Sequence, residues 1–271
     1  MAKVLVVTSG KGGVGKTTST AALGAALAQT GKNVVVVDFD VGLRNLDIVM
    51  GAERRVVFDM INVIQGEAKL AQALIRDKRV ETLSILPASQ TRDKEALTGE
   101  GVAKIIAELR EKFDWVICDS PAGIERGASL AMHHADVAVI VTNPEVSSVR
   151  DSDRIIGLLD SKTEMAARGE RVEKHLLLTR YDAVRAARGD MLKTEDVLEI
   201  LSIPLLGIIP ESTEVLRASN LGTPVVLSNP EAAPARAYVD AARRLMGTQV
   251  PMVIPGEKRS FITKLFGRRV A

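Results

Sequence analysis

The chain has 271 residues and a formal net charge of +2, with 46% apolar and 26% charged side chains, enough to bury one full-sized core. Those proportions exclude wholesale disorder and a multi-span membrane protein, and so small a charge excludes a body coated along one face by nucleic acid. The single cysteine, Cys118, excludes an internal disulfide framework and a multi-thiolate metal site within one subunit, and points to a cytosolic location.

The predicted elements begin with Val4-Leu5-Val6-Val7, an apolar run too short for a secretory signal and ending at a glycine loop, so it is read as a first strand. Gly10-Lys11-Gly12-Gly13-Val14-Gly15-Lys16-Thr17 follows and matches G-x-x-x-x-G-K-[ST], ahead of a helix-forming run at 19–29. Glycines let this backbone wrap an anion so that successive N–H groups and the helix N-terminus face phosphate. Lys16 then neutralises β/γ oxygens and the Thr17 hydroxyl binds Mg²⁺. Lys11 is a second lysine that such a loop does not need. From the residues alone it is either solvated or aimed at a neighbour's nucleotide.

The next apolar run, 34–37, ends in Asp38-Phe39-Asp40, which places two carboxylates at the strand edge where phosphates lie. Residues i and i+2 share a strand face, so Asp38 is assigned supporting Mg²⁺ contacts and Asp40 the attacking water. Further runs at 83–86, 115–118, 137–141, 176–178 and 205–209 do not alternate polar with apolar, as expected of strands covered on both faces. Between them lie helix patterns such as Val102, Ile105, Ile106 and Leu109. Asp119 closes the 115–118 run and is assigned a water-mediated metal contact, and Ser120-Pro121-Ala122-Gly123 forms a loop able to move when γ-phosphate leaves.

Cys118 is read as core, the adjacent His133 and His134 as unsuited to a metal, and Arg54, Arg55, Arg185 and Arg188 as surface charges. The alternation predicts a three-layer α/β fold of the P-loop NTPase kind, a mostly parallel twisted sheet flanked by helices, occupying 1–246. Pro251 and Pro255-Gly256 mark a linker at 247–256.

Residues 257–271 read as an amphipathic segment. Phe261, Ile262, Leu265 and Phe266 fall on one face, while Lys264 and Arg268 lie on the other. That pattern suits an anionic membrane surface, and it also suits a terminal helix docked on the body. No apolar stretch reaches the roughly 20 residues needed to cross a bilayer, so any membrane contact is peripheral.

The loop from Lys11 to Thr18 resembles the deviant Walker A loop of the ParA/MinD ATPase family. The stretches at 38–47, 86–93, 118–125 and 142–151, with the basic tail, resemble its septum-site-determining branch over essentially the whole chain. The resemblance implies a Mg²⁺-dependent ATPase that pairs when ATP-bound, with Lys11 reaching the partner's phosphates. It implies residence on the cytoplasmic face of the inner membrane through the tail, recruitment of the division inhibitor MinC, and release through a topological factor such as MinE. Carried over by position, Lys11, Lys16 and Asp40 are catalytic. Gly12, Gly13, Val14, Gly15, Thr17 and Thr18 bind nucleotide, Thr17, Asp38 and Asp119 serve the metal, and Arg180, Pro210 and Glu211 meet adenine. The alternatives are a DNA-partitioning relative, a cluster-bearing reductase that one cysteine cannot supply, and a scaffold with negligible turnover.

Overall fold

The computed structural model describes residues 2–256. Every apolar run read as a strand is one. The strands are β1 (Lys3–Thr8), β2 (Val34–Asp38), β3 (Ile75–Arg76), β4 (Leu83–Leu86), β5 (Trp115–Asp119), β6 (Val137–Thr142), β7 (Glu173–Tyr181) and β8 (Leu205–Pro210). They form one sheet in the order β3-β4-β2-β5-β1-β6-β7-β8, parallel throughout except for the two-residue β3, which pairs antiparallel with β4. β3 has no sequence signature because two residues are too few to carry a period.

The helices between them are α1 (Lys16–Ala28), α2 (Leu46–Val49), α3 (Met60–Ile64), α4 (Leu70–Ala73), α5 (Gly99–Lys112), α6 (Arg126–His133) and α7 (Val146–Leu159), then α8 (Glu164–Ala167), α9 (Ala183–Arg188), α10 (Thr194–Leu201), α11 (Thr213–Asn220), α12 (Val225–Ser228) and α13 (Ala233–Leu245). Because successive strand side chains alternate, Leu5, Val7, Val34 and Val36 join a core with α1, α12 and α13 on one face, while Val4, Val6, Val35 and Val37 join a second core with α3, α5 and α6 on the other. Continuous apolar strands are what a sheet covered on both faces requires.

The helices read as their environments demand. α1 is apolar almost all round and is buried almost throughout, as a helix enclosed by sheet, α12 and α13 should be. α5 instead buries a stripe, Val102, Ile105, Ile106 and Leu109, and its Thr98 N-cap accepts a hydrogen bond from Gly101 N at 3.2 Å. Burial of those four side chains contributes about 6–12 kcal/mol before conformational entropy is subtracted. α13 is fastened to α1 by the buried Ser19 Oγ–Tyr238 OH hydrogen bond of 3.0 Å.

The stretch expected to be a linker, 247–256, contains no helix or strand but is fastened to the body. Arg244 donates to the Val250 and Pro251 carbonyls at 3.0 and 2.7 Å, Ile254 packs on the α9–α10 core, and Gly256 abuts Ala183. The tail residues Phe261, Ile262, Lys264, Leu265, Phe266 and Arg268 lie outside the described residues. No helix among the described residues is long and apolar enough to cross a membrane.

Candidate nucleotide site

The carboxyl ends of β1, β2, β5, β6, β7 and β8 form one edge of the sheet, where a doubly wound topology places ligands. β1 runs directly into the 10–15 loop. Gly15 sits at φ 98° and N-caps α1, a left-handed conformation that a side chain would strain. Gly10 lies against the Asp151 backbone of α7, where a Cβ would overlap it. α1 therefore begins at Lys16, three residues before the helix-forming run seen in the sequence, so Lys16, Thr17 and Thr18 occupy its first turn.

Lys16 is 8% exposed and its Nζ donates to Ser9 Oγ at 3.0 Å, while Ser9 Oγ donates to Lys11 O at 2.7 Å. Burial lowers the Lys16 pKa, opposed by the charges of Asp119 and Asp40. Opposite it stand the acids. Asp38 and Asp119 are paired in register on β2 and β5, and both are buried. Thr20 Oγ1 donates to Asp119 Oδ1 at 3.0 Å, and the Thr17 hydroxyl lies close enough to this carboxylate to lower its pKa. Burial pushes the Asp119 carboxyl up to about 6, with the Thr17 and Thr20 hydroxyls and the charge of Lys16 opposing it. A hydroxyl and a desolvated carboxylate beside a buried lysine are a donor set that suits hydrated Mg²⁺ with phosphate.

Asp38, assigned supporting Mg²⁺ contacts on spacing, also has a structural task. Its two oxygens accept Asp40 N at 2.8 Å and Leu46 N at 3.2 Å, so it closes the 39–45 loop back onto the strand end. Burial, and then the charge of Asp119, raise its pKa well above the ordinary carboxylate range. Asp40 is half-buried at the front of that loop. Desolvation raises its pKa, while Lys94 and Lys16 draw it back. Asp40, Lys94, Pro121 and Glu125 line a pocket of about 20 Å³, large enough for one water.

Lys11 is held within its own chain. Its Nζ pairs with Glu145 Oε2 at 3.1 Å and reaches Ser147 Oγ at 3.1 Å, both at the start of α7. Arg180, Pro210 and Glu211 do come together. Tyr181 is in register with Pro210, Glu211 N donates to Tyr181 O at 3.0 Å, and Arg180 takes φ 53° where the β7–β8 register shifts just before Tyr181. Gly12, Gly13 and Val14 complete the loop, with the Val14 side chain buried.

Residues set aside in the sequence behave as structure. Cys118 is buried in β5 and its thiol is pushed up to about 12 by burial, while His134 pairs with Glu164 and His133 with the Lys162 carbonyl. Others were missed. Thr20 follows Thr17 by three residues on one helix face, a spacing legible in the sequence. Lys94 and Thr179 reach the site only through tertiary structure and carry no local signal, while Ser9 borders the phosphate loop and Asn143 and Glu145 lie in the 142–151 stretch without a role having been assigned to them.

Residues 5–225 match the CobQ/CobB/MinD/ParA nucleotide binding domain. The chain is 61% identical over 271 residues to the septum site-determining protein MinD of Escherichia coli K12, covering 98% of this chain and 100% of that one. It superposes on MinD in the MinC:MinD cell division complex of Aquifex aeolicus with TM-score 0.81 at 43% identity, covering 93% and 99% of the two chains. It also superposes on the septum site-determining protein MinD complexed with Mg-ADP from Pyrococcus horikoshii, with TM-score 0.80 at 31% identity over 90% and 96%. Full-length identity to septum-site proteins favours that branch over the partitioning alternative. A phosphate loop leading into a buried helix, acids on two neighbouring strands and this similarity over the whole length agree: the chain belongs to the ParA/MinD family of P-loop ATPases, in its MinD, septum site-determining branch.

Proposed function

We propose that the chain hydrolyses ATP to ADP and phosphate in a Mg²⁺-dependent way, dimerises when ATP-bound, and cycles on and off the cytoplasmic face of the inner membrane. The observation that supports this most is the convergence of Lys16, Thr17, Asp40 and Asp119 at the ends of three adjacent strands, with Asp38 holding the Asp40 loop in place. The 10–15 backbone and Lys16 bind the phosphates, and Thr17 and Asp119 hold the cation, Asp119 through water. Bound Mg²⁺ supplies charge neutralisation at the β/γ oxygens. Asp40 orients the attacking water and accepts its hydrogen bond. Asp38 serves the metal indirectly, through the loop it closes. Arg180, Pro210 and Glu211 face adenine.

In this reading Lys11 leaves Glu145 to contact the partner's phosphates, and the 120–123 loop responds to γ-phosphate loss. The MinC:MinD complex of the Aquifex relative supports a MinC-type division inhibitor as partner. A topological factor of the MinE kind is proposed to speed turnover. The body spans 1–246, 247–256 connects it to the amphipathic segment, and that segment anchors two-fold on anionic lipid. Paired anchors gain about 10²-fold or more in avidity over one, so pairing sets membrane residence. Mg²⁺-dependent ATP turnover, with and without anionic vesicles, is the test. No turnover in either condition, or turnover unchanged by Asp40→Ala, contradicts this function.

A further inference from the structure

We infer that Thr179 is a positioning residue for nucleotide binding, tying the phosphate loop to the strand end that faces the base; this rests on the nucleotide-site reading above. Thr179 is 3% exposed at the end of β7, one residue before the left-handed Arg180. Its Oγ1 lies 2.7 Å from the Val14 carbonyl, inside the phosphate loop, and 2.9 Å from the Asn143 side-chain oxygen at the end of β6.

One hydroxyl carries one proton, so it cannot donate to both oxygens. The conflict resolves if the Asn143 amide is turned so that its N–H donates to Thr179 Oγ1, leaving the hydroxyl proton for Val14 O. Asn143 is itself held, because its backbone N donates to Ser148 Oγ at 3.3 Å. The result is a buried relay from β6 through β7 to the loop, which runs between two residues in positive φ, Gly13 at 75° and Gly15 at 98°. Such a loop has few intrinsic preferences of its own, and the Val14 carbonyl is a point at which the neighbouring strand fixes it. Thr179 touches no phosphate in this arrangement. It sets the direction of the N–H groups that do.

The test is Mg-ADP affinity of the full chain by titration calorimetry, with KM and kcat for ATP. Thr179→Val keeps the shape and leaves the Val14 carbonyl without its partner. It should weaken Mg-ADP binding about tenfold and raise KM to match, with kcat within about threefold. Thr179→Ser retains the hydroxyl and should bind within about twofold of wild type, which also covers the case of a poorly folding valine variant. Thr163→Val is the control, a buried threonine beyond the far end of α7 whose hydroxyl donates to Leu159 O at 3.0 Å; it should leave ADP affinity unchanged. Wild-type affinity in Thr179→Val, equal weakening in Thr179→Ser, or equal weakening in Thr163→Val would overturn the inference. A wild-type chain that binds no nucleotide would overturn the site itself, and this inference with it.

Discussion

Asp38 and Asp119 stand opposite one another in register on adjacent parallel strands, both buried at the end of the sheet that carries the phosphate loop. Two carboxylates placed so closely are costly as anions unless a cation shares the site. Their position therefore links the metal assignment to a measurable pH response.

Without nucleotide, the Asp119 carboxyl titrates at about 6 against 3.8 for the ordinary group, so between those values the folded state holds more protons than the unfolded chain. Its contribution to stability is greatest at low pH and is lost as pH rises through about 6, by up to about 3 kcal/mol. Urea unfolding of wild type and Asp119→Asn should show this as a difference that grows in favour of the variant between pH 4 and pH 6.5, about the span of the shift. Saturating Mg²⁺-nucleotide should reverse the advantage. A difference flat with pH contradicts the buried-anion account.

Asp40 is proposed to orient the attacking water, while Asp38 holds the loop that carries it. Asp40→Ala should lower turnover by about 10²–10⁴-fold with ADP affinity preserved. Asp38→Asn should do comparable harm for another reason, since Asp38 uses one oxygen for Asp40 N and the other for Leu46 N and the amide would set an NH₂ against one of these donors, and the unfolding midpoint should fall with it. Turnover and equilibrium unfolding measured on both variants separate the two roles.

Lys11 pairs within its own chain, on Glu145 and Ser147, and both members of the ion pair are substantially solvent-exposed. An exposed pair of this kind contributes at most about 1 kcal/mol, so pairing with a second chain can displace it. Lys11→Ala should therefore keep ADP affinity and lose ATP-dependent dimerisation in sedimentation velocity. Glu145→Gln should leave the chain able to bind ADP. Normal dimers of Lys11→Ala would remove its role across the interface.

Arg79 joins its own turn after β3 to the end of α2 and to the turn after α11. It donates to Met50 O at 2.7 Å, Gly222 O at 2.9 Å and Thr223 Oγ1 at 2.7 Å, and it pairs with the buried Asp77 at 2.6 Å. Arg79→Ala should destabilise the fold by about 1–3 kcal/mol, because Asp77 loses its cation and keeps only the Arg79 and Val80 backbone N–H bonds. Arg79→Lys should recover only part, because one ammonium cannot fork among these acceptors. Urea unfolding measures both.

The sheet was legible because doubly covered strands must be apolar at every position, so the Val34–Asp38 and Trp115–Asp119 strands could be read from their residues and from the acids that end them. The phosphate loop was legible because few sequences satisfy its backbone. What escaped was set by tertiary approach. Asp38 looks the same in sequence whether it holds a cation or two backbone N–H groups, and the partner of Lys11 lies 134 residues away. Thr179 carries no mark beyond its place at a strand end, and β3 is too short for any periodicity.

The most direct test of the account is co-sedimentation with anionic liposomes in ATP and in ADP, using the intact chain and one truncated before Lys258. The account predicts that only the intact chain in ATP sediments with lipid. Binding that persists in ADP, or without residues 258–271, would contradict the link between nucleotide-driven pairing and membrane residence.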